Sequence, residues 1–217
     1  MTPRRDTKTA ILEAALDLFA TRGFDGVGMR DIAEAVGVKP ASLYKHYSGK
    51  QAIFDAVVDW MSKRYAAYSL QTGIPEGDAN TNTEQLVAGY TAMSAEVMAE
   101  AGVAQFRYWT EDEYAARYRR LLAVEQFRSP AMGQLYRAFF VDGPIEYQTA
   151  LFQQMIDNGA FAPDNAHLLA LEFFSPILIL MQSWDGAADE AARAKILEYV
   201  RSHIERFAWL HDTTRTC

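Results

Sequence analysis

The fold is decided between residues 29 and 50, which read MRDIAEAVGVKPASLYKHYSGK. The apolar pattern over about 29–35 predicts a short helix, and Gly37 predicts a tight turn directly after it. Pro40 stands where the first residue of a helix favours proline, so a second short helix is expected over about 40–46. Two short helices joined by a glycine-containing turn are typical of a helix-turn-helix.

The segments on both sides of this pair predict longer helices. Upstream, an apolar helical face ends at Gly23, which has the position of a helix stop. Downstream, Ser48 and Gln51 have the spacing of a capping box, which opens a fourth helix over 48–72. A linker rich in turn-forming residues follows at 73–82. The upstream face is formed by Ile11, Ala14, Ala15, Leu18 and Phe19.

Beyond the linker the helical pattern resumes and continues to about residue 211. We therefore expect an all-α protein. A three-helix helix-turn-helix domain occupies 1–50, the fourth helix links it onward, and a helical regulatory and dimerisation domain occupies 51–217. Breaks between the later helices are expected near Gly102, 129–130, 142–144, 158–159, 163–164 and 185–186.

Charge is distributed unevenly along the chain. The whole chain has a net charge of −7, but residues 1–50 carry eight Lys or Arg against six Asp or Glu, a net +2, which leaves −9 for the remainder. Nucleic-acid affinity depends on a local basic surface, so contact with DNA is expected only at the N-terminal end. The single Cys217 excludes an intramolecular disulfide, and no secretory signal is visible, so a cytoplasmic location is expected.

The second helix of a helix-turn-helix enters the major groove, which admits a helix and shows a distinct pattern of donors and acceptors for each base pair. Leu43 and Val38 are expected to point inward and hold this helix in place. Tyr44, His46 and Lys50 are expected to hold the DNA backbone. The residues expected to face the bases and the nearby phosphates are Lys39, Pro40, Ala41, Ser42 and Lys45.

These residues fit a known pattern. The series Ala14-Ala15, Leu18-Phe19, Gly23-Phe24, Ile32-Ala33, Gly37-Val38, Leu43-Tyr44, His46-Tyr47 and Lys50 resembles the DNA-binding domain of the tetracycline-repressor (TetR) family over about 50 residues. The resemblance implies a homodimer that binds a palindromic operator. It also implies an all-helical C-terminal domain whose small effector usually releases the DNA.

The sequence departs from the family pattern at two positions. The family often has Ser or Thr before its second helix, where this chain has Gly28, so one phosphate contact is lost and Arg30 is expected to replace it. The family also often has Ser or Thr where Lys39 stands, so base preference there should differ.

Other classes of function have weaker support. The glycines between Gly23 and Gly28 are spaced G-x-x-G-x-G with no preceding strand, which is not a phosphate-binding loop. Motifs of hydrolases, metalloproteases and zinc sites are missing, so no enzyme, cofactor or metal is expected. Two alternatives stay open: a regulator whose C-terminal domain binds a protein or lipid instead of a small effector, and an enzyme with an incidental helix-turn-helix.

The segment 168–184 is apolar on nearly every side. It carries Glu172 and Pro176 and is shorter than the ~20 apolar residues of a membrane span, so a dimer interface explains it better than a membrane. With the last helix, near 191–210, it would form a four-helix interface about a two-fold axis. The interface residues expected are Leu171, Phe174, Ile177, Leu178, Met181, Tyr199, Val200, Ile204 and Phe207.

The middle of the chain, 87–155, is crowded with aromatic and methionine residues. Most of them are expected in the core, and a pocket among them would suit a flat or aliphatic effector. Arg107, Gln126, Gln148 and Gln153 could orient such a ligand, although residues of these types more often lie on the surface or pair helices. The expected pocket residues are Met98, Phe106, Trp109, Phe127, Tyr136, Phe152 and Met155.

Overall fold

The computed structural model describes residues 6–72, 88–89 and 94–211, and over these residues it confirms the all-α fold. The linker expected at 73–82 and the terminal Cys217 lie outside the described residues. In chain order the helices are α1 (Thr7–Arg22), α2 (Met29–Val36), α3 (Pro40–Leu43), α4 (Lys50–Thr72), α5 (Ala95–Glu111), α6 (Glu113–Glu125), α7 (Pro130–Phe140), α8 (Asp142–Asp157), α9 (Ala166–Asp185) and α10 (Glu190–His211).

The described residues divide into two compact units, and the first contains 6–72 together with 112–135. In this unit α1 packs against α2, α4 and α6. Its centre is a trio of aromatic rings, Phe19, Phe24 and Phe54, whose centroids lie 5.3 to 5.8 Å apart. Each ring is almost wholly buried, so the trio contributes both buried apolar area and favourable ring geometry.

Helix α6 is bonded to α1 by polar side chains as well as by its core. The Tyr114 hydroxyl donates to Glu13 at 2.8 Å, and Arg117 pairs with Asp17 at 3.2 Å. Tyr118 lies on the buried side of α6 and is fully enclosed. A helix that is distant from α1 in sequence is therefore part of the same packed unit.

The second unit contains the described residues of 73–111 and 136–211, so the division falls within α7. Here α9 packs against α5, α8 and α10. A phenylalanine cluster joins three of these helices, because Phe152 of α8 lies 5.3 Å from Phe207 of α10 and 5.7 Å from Phe173 of α9. The unit is therefore held by aromatic contacts among α8, α9 and α10.

Most of the expected helix breaks coincide with helix ends, but the one near Gly102 does not. Helix α5 runs through Gly102, and the Cδ1 of Ile204, on α10, lies where a side chain at this position would begin. The glycine therefore permits close packing of two helices. The break falls instead at Asp112, whose carboxylate caps α6 by accepting from the amides of Tyr114 and Ala115 at 3.1 and 2.9 Å.

The turn before α3 yields a prediction on stability. Gly37 has φ 75° and ψ 30°, a left-handed conformation that disfavours every residue with a Cβ. We expect Gly37→Ala to lower the free energy of unfolding by about 1 kcal/mol, measured by urea denaturation. The control is Gly49→Ala, since Gly49 has no positive φ and open space around its Cβ position. Equal stability of Gly37→Ala and the wild type would contradict the assignment of this turn.

Candidate nucleic-acid interface

The two short helices are held at a fixed angle by the turn between them. The Gly37 amide donates to the Glu34 carbonyl at 3.0 Å and the Val38 amide to the Ala33 carbonyl at 2.9 Å, which closes the end of α2. Lys39 is then the N-cap residue of α3, and Pro40 is its first residue, as the sequence predicts. The chain therefore has the geometry of a helix-turn-helix.

Helix α3 is buried on the side that carries Leu43 and exposed on the other side. Leu43 is 0% exposed, which confirms its inward position, and Val38 is half-buried beside it. Tyr44 is 57% exposed, so its ring is not a core residue. The predicted DNA-facing residues that are exposed are Arg30, Lys39, Pro40, Ala41, Tyr44, Lys45 and His46, while Ser42 and Lys50 are half-buried.

Helix α3 is shorter than the sequence indicates. It ends at Leu43 instead of continuing to residue 46. The following turn is tightened by the amides of His46 and Tyr47, which both donate to the Leu43 carbonyl at 2.9 Å. Lys45 and His46 therefore lie on this exposed turn and not on the helix itself.

The entry to α2 compensates for the missing hydroxyl at its N-cap. Gly28 is the N-cap residue, and its amide donates to Asp31 Oδ2 at 2.7 Å. Arg22 donates to the other oxygen, Oδ1, at 3.0 Å. The Gly28 amide and the Arg22 guanidinium together hold the pKa of the Asp31 carboxyl below its ordinary value of 3.8. The loop between α1 and α2 is thus fixed by backbone and ionic contacts.

Lys50, the first residue of α4, is attached to this loop. Its Nζ donates to the Phe24 carbonyl at 2.7 Å and lies 4.3 Å from the centroid of the Phe24 ring. The Phe24 amide in turn donates to Glu125 Oε1 at 2.9 Å, and Arg128 lies over the same ring. The contributions of Glu125 and Arg128 could not be predicted from the sequence, because no local pattern signals a contact across about 100 residues.

The residues expected to line a pocket do not form one cluster. Phe106, Trp109, Phe152 and Met155 are buried in the second unit, with Met98 and Tyr136 half-buried. Trp109 makes ring contacts with Tyr108 and Phe140, whereas Phe152 and Met155 belong to the separate phenylalanine cluster. Phe127 is 85% exposed and lies in the first unit, because the chain leaves α6 for a turn at this point.

The four polar candidates for the pocket make local contacts or remain partly exposed. Arg107 pairs with Glu111 one turn further along α5, and Gln153 donates to Asp157 in the same way on α8. Gln126 donates to the Ala123 carbonyl, and Gln148 is half-buried. Among the described residues, no group of three or more His, Cys, Asp or Glu is placed to hold a metal ion.

The structure separates the residues expected at a dimer interface into two sets. Leu171, Phe174 and Leu178 are half-buried, and Tyr199 is exposed. The remaining residues lie inside the second unit instead of on its surface. The sequence could not predict this, because a helix that is apolar on every side gives no signal for which face turns inward. These interior residues are Ile177, Met181, Val200, Ile204 and Phe207.

Helix α9 nevertheless leaves much apolar surface outside the unit. Only 28% of an 18-residue apolar window of this helix is buried. By length and composition alone it could also cross a membrane. Leu168 and Ile179 are exposed on this helix, and Trp209 and Leu210 are exposed on α10.

Comparison with known proteins agrees with the geometry. Residues 11–57 match the family described as "Bacterial regulatory proteins, tetR family". IcaR of Staphylococcus aureus strain Newman, an "HTH-type negative transcriptional regulator" of the biofilm operon icaADBC, is 41% identical over 51 residues. That alignment covers 24% of this chain and 27% of IcaR, so the chain matches about a quarter of that relative's length.

Solved structures extend the similarity of fold to nearly the whole chain. MexZ of Pseudomonas aeruginosa, described as a key repressor responsible for antibiotic resistance, has a TM-score of 0.65 at 17% identity, covering 93% of this chain and 94% of MexZ. A complex of SmeT with triclosan has a TM-score of 0.63 at 15% identity, covering 95% and 92%. SmeT is the repressor of a multidrug efflux pump of Stenotrophomonas maltophilia.

The fold and the exposed turn define a helix-turn-helix domain. Residues 11–57 match the DNA-binding domain of the tetR family, and nearly the whole chain is similar in fold to solved regulators such as MexZ.

The pKa of Asp31 yields a prediction on acid stability. Because this pKa is lower in the folded chain than its ordinary value of 3.8, the stabilisation is complete above about pH 4 and is lost as the pH falls through the lowered value. We expect Asp31→Asn to destabilise the protein near neutral pH and to differ less from the wild type at pH values below the lowered pKa of Asp31. Urea denaturation at several pH values measures this difference, and Arg22→Ala should show part of the same trend. If the free energies of unfolding of Asp31→Asn and the wild type differ by the same amount at every pH, this prediction is wrong.

Proposed function

We propose that the chain is a homodimeric, ligand-responsive repressor that binds a palindromic operator with the exposed face of α3 and the turn after it. The observation that carries this proposal is the arrangement around Leu43. A fully buried leucine fixes the element, and the basic side chains of Lys39 and Lys45 stand exposed on it. This is the arrangement that a helix needs in order to enter a major groove.

Charge supports a binding mode that depends on the dimer. Residues 1–50 have a net charge of only +2, and the rest of the chain is acidic. Since each phosphate contact adds a modest, salt-sensitive contribution, one subunit should bind DNA weakly. Two recognition elements joined in one dimer bind the two half-sites of an operator together, which raises the affinity without new contacts.

The apolar surface of α9 supports the homodimer. A helix that is apolar on every side is stable only when both sides are covered, and the second unit covers 28% of its window. A second copy could pack its own α9 and α10 against α9 and α10 of the first copy about a two-fold axis. This packing would bury the remaining apolar surface of α9. The same dimer accounts for the apolar character of α9 without a membrane. A cytoplasmic location is part of the proposal, because the protein would need access to DNA.

The repressor role and the effector rest on similar proteins and on the interior of the second unit. IcaR is named a negative regulator, MexZ and SmeT are named repressors, and SmeT forms a complex with triclosan. In this chain the rings of Trp109, Tyr108 and Phe140 meet edge to face within 5.1 Å. Such surfaces suit an apolar or aromatic effector.

An effector would release the operator by changing the distance between the two recognition elements of the dimer. Half-sites lie about one helical turn apart, ~34 Å, or a multiple of it, so both elements fit successive grooves only at matching spacings. The effector acts only as far as it binds one spacing better than the other. An effector that leaves operator affinity unchanged at saturation contradicts this part of the proposal.

DNA binding is tested at Lys45. We expect Lys45→Ala to weaken binding to an operator recovered by selection from random duplex DNA by about tenfold, because a basic contact is lost. The dependence of the binding constant on salt should also fall by about one unit per subunit. The control is Lys63→Ala, which makes the same charge change at an exposed position of α4. Equal affinities for Lys45→Ala, Lys63→Ala and the wild type would refute the recognition assignment.

The dimer is tested at Ile179, which is 63% exposed on α9. A carboxylate placed in an apolar interface cannot be desolvated cheaply, so Ile179→Asp should give folded monomers in sedimentation equilibrium and lose operator binding. Leu70→Asp, on an exposed apolar residue of α4, is the control and should remain dimeric. If Ile179→Asp stays dimeric with full operator affinity, the α9 interface is wrong.

A further inference from the structure

Phe24, in the loop between α1 and α2, is held by side chains from two distant parts of the chain. Its amide donates to Glu125 Oε1 at 2.9 Å, at the end of α6. Its carbonyl accepts from Lys50 Nζ at 2.7 Å, at the start of α4. Both polar groups of one residue's backbone are therefore satisfied by charged side chains, and each such bond is stronger than one between neutral groups.

The ring of Phe24 is also contacted by cations from the start of α4 and from the turn after α6. The Lys50 ammonium lies 4.3 Å from its centroid and the Arg128 guanidinium carbon lies 4.1 Å from it. Cations at these distances are attracted by the electrons of the ring. The ring itself is packed against Phe19 and Phe54, so it cannot move without disturbing the core of the first unit.

Glu125 is the group on which these contacts converge. Its side chain is buried, with 5% of the residue exposed, and a buried carboxylate is tolerated only when it is paired. Oε1 accepts the Phe24 amide, and Oε2 lies 2.6 Å from Arg128 Nε. One carboxylate therefore fixes the backbone of Phe24 and also the cation that covers its ring.

Among the residues joined by these contacts, Lys50 is the one that could reach DNA. Its ammonium has three protons and donates one of them to the Phe24 carbonyl. Its position at the first residue of α4 is also where backbone amides and the helix dipole favour a phosphate. The location of the ammonium is set by Phe24, and the location of Phe24 is set by Glu125.

We infer that the buried Glu125 is a positioning residue for operator binding, which holds Lys50 in place for a DNA phosphate by fixing Phe24. The inference rests on the proposed DNA-binding function. It adds that the domain at 11–57 is completed by the end of α6, which lies outside that domain. A shift of α6 would consequently alter a phosphate contact without any change in α3.

Two substitutions of Glu125 separate the effect of its side-chain length on operator binding from the effect of its charge. Glu125→Gln keeps an oxygen at the right distance from the Phe24 amide but removes the charge, so operator affinity should stay within about threefold of the wild type. Glu125→Asp keeps the charge but is one methylene too short to reach the amide, so affinity should fall about tenfold. The reverse order of the two variants would overturn the inference, since it would show that charge alone matters.

A double-mutant cycle tests whether Glu125 acts through Lys50. Glu125→Ala should weaken operator binding about tenfold in the wild-type background but change it little when combined with Lys50→Ala. The salt dependence of Glu125→Ala should match that of Lys50→Ala, about one unit per subunit below the wild type. Equal losses in both backgrounds would overturn the inference, because Glu125 would then act independently of Lys50.

The control is Glu113→Ala, which removes the same charge from the other end of α6, where Glu113 is exposed and pairs with Arg117. It should bind operator as the wild type does. If circular dichroism shows that Glu125→Ala does not fold, the comparison of Glu125→Gln with Glu125→Asp tests the inference on its own. Failure of the wild type to bind any operator would refute the proposed function, whereas unchanged binding by both Glu125→Ala and Glu125→Asp would refute the inference alone.

Discussion

The burial of Leu43 is the interaction on which the DNA-facing surface depends. A helix of four residues has no stability of its own, because isolated helices shorter than about 12 residues are marginal in water. Helix α3 exists because Leu43 is fully enclosed against α2 and because Gly37 adopts the left-handed turn that brings it there. The exposed side chains around Leu43, from Lys39 to His46, owe their positions to this contact.

The support beneath that surface extends beyond the domain that sequence similarity recognises. Helix α6 contacts α1 through Tyr114, Arg117 and a buried core, and it contacts the loop before α2 through Glu125. The first compact unit is therefore larger than a helix-turn-helix with its supporting helix. In the proposed mode of DNA binding, the end of α6 therefore helps to set the position of Lys50 through Phe24.

Local signals made the first three helices predictable, and distant contacts account for what was missed. Gly37, Pro40 and Leu43 each have a positional meaning that one sequence reveals, and the structure places all of them as expected. The Glu125–Phe24 bond spans 101 residues and leaves no periodic trace. The expected break at Gly102 is wrong, because the residue that fills the space beside this glycine, Ile204, is about 100 residues away in sequence and leaves no local signal. The inward face of α9 could not be identified, since all its faces are apolar.

In the proposed mode of binding, α3 and its turn read DNA as one half of a symmetric pair. Selection of bound duplexes from a random DNA pool by the purified full-length chain tests it most directly. We expect enrichment of a palindrome whose half-site centres lie about one helical turn, ~34 Å, or a multiple of it apart. We also expect Lys45→Ala to lose the enrichment. Recovery of no sequence above the starting pool, or of the same sequence by Lys45→Ala with equal strength, would show that α3 and its turn do not read DNA in this way.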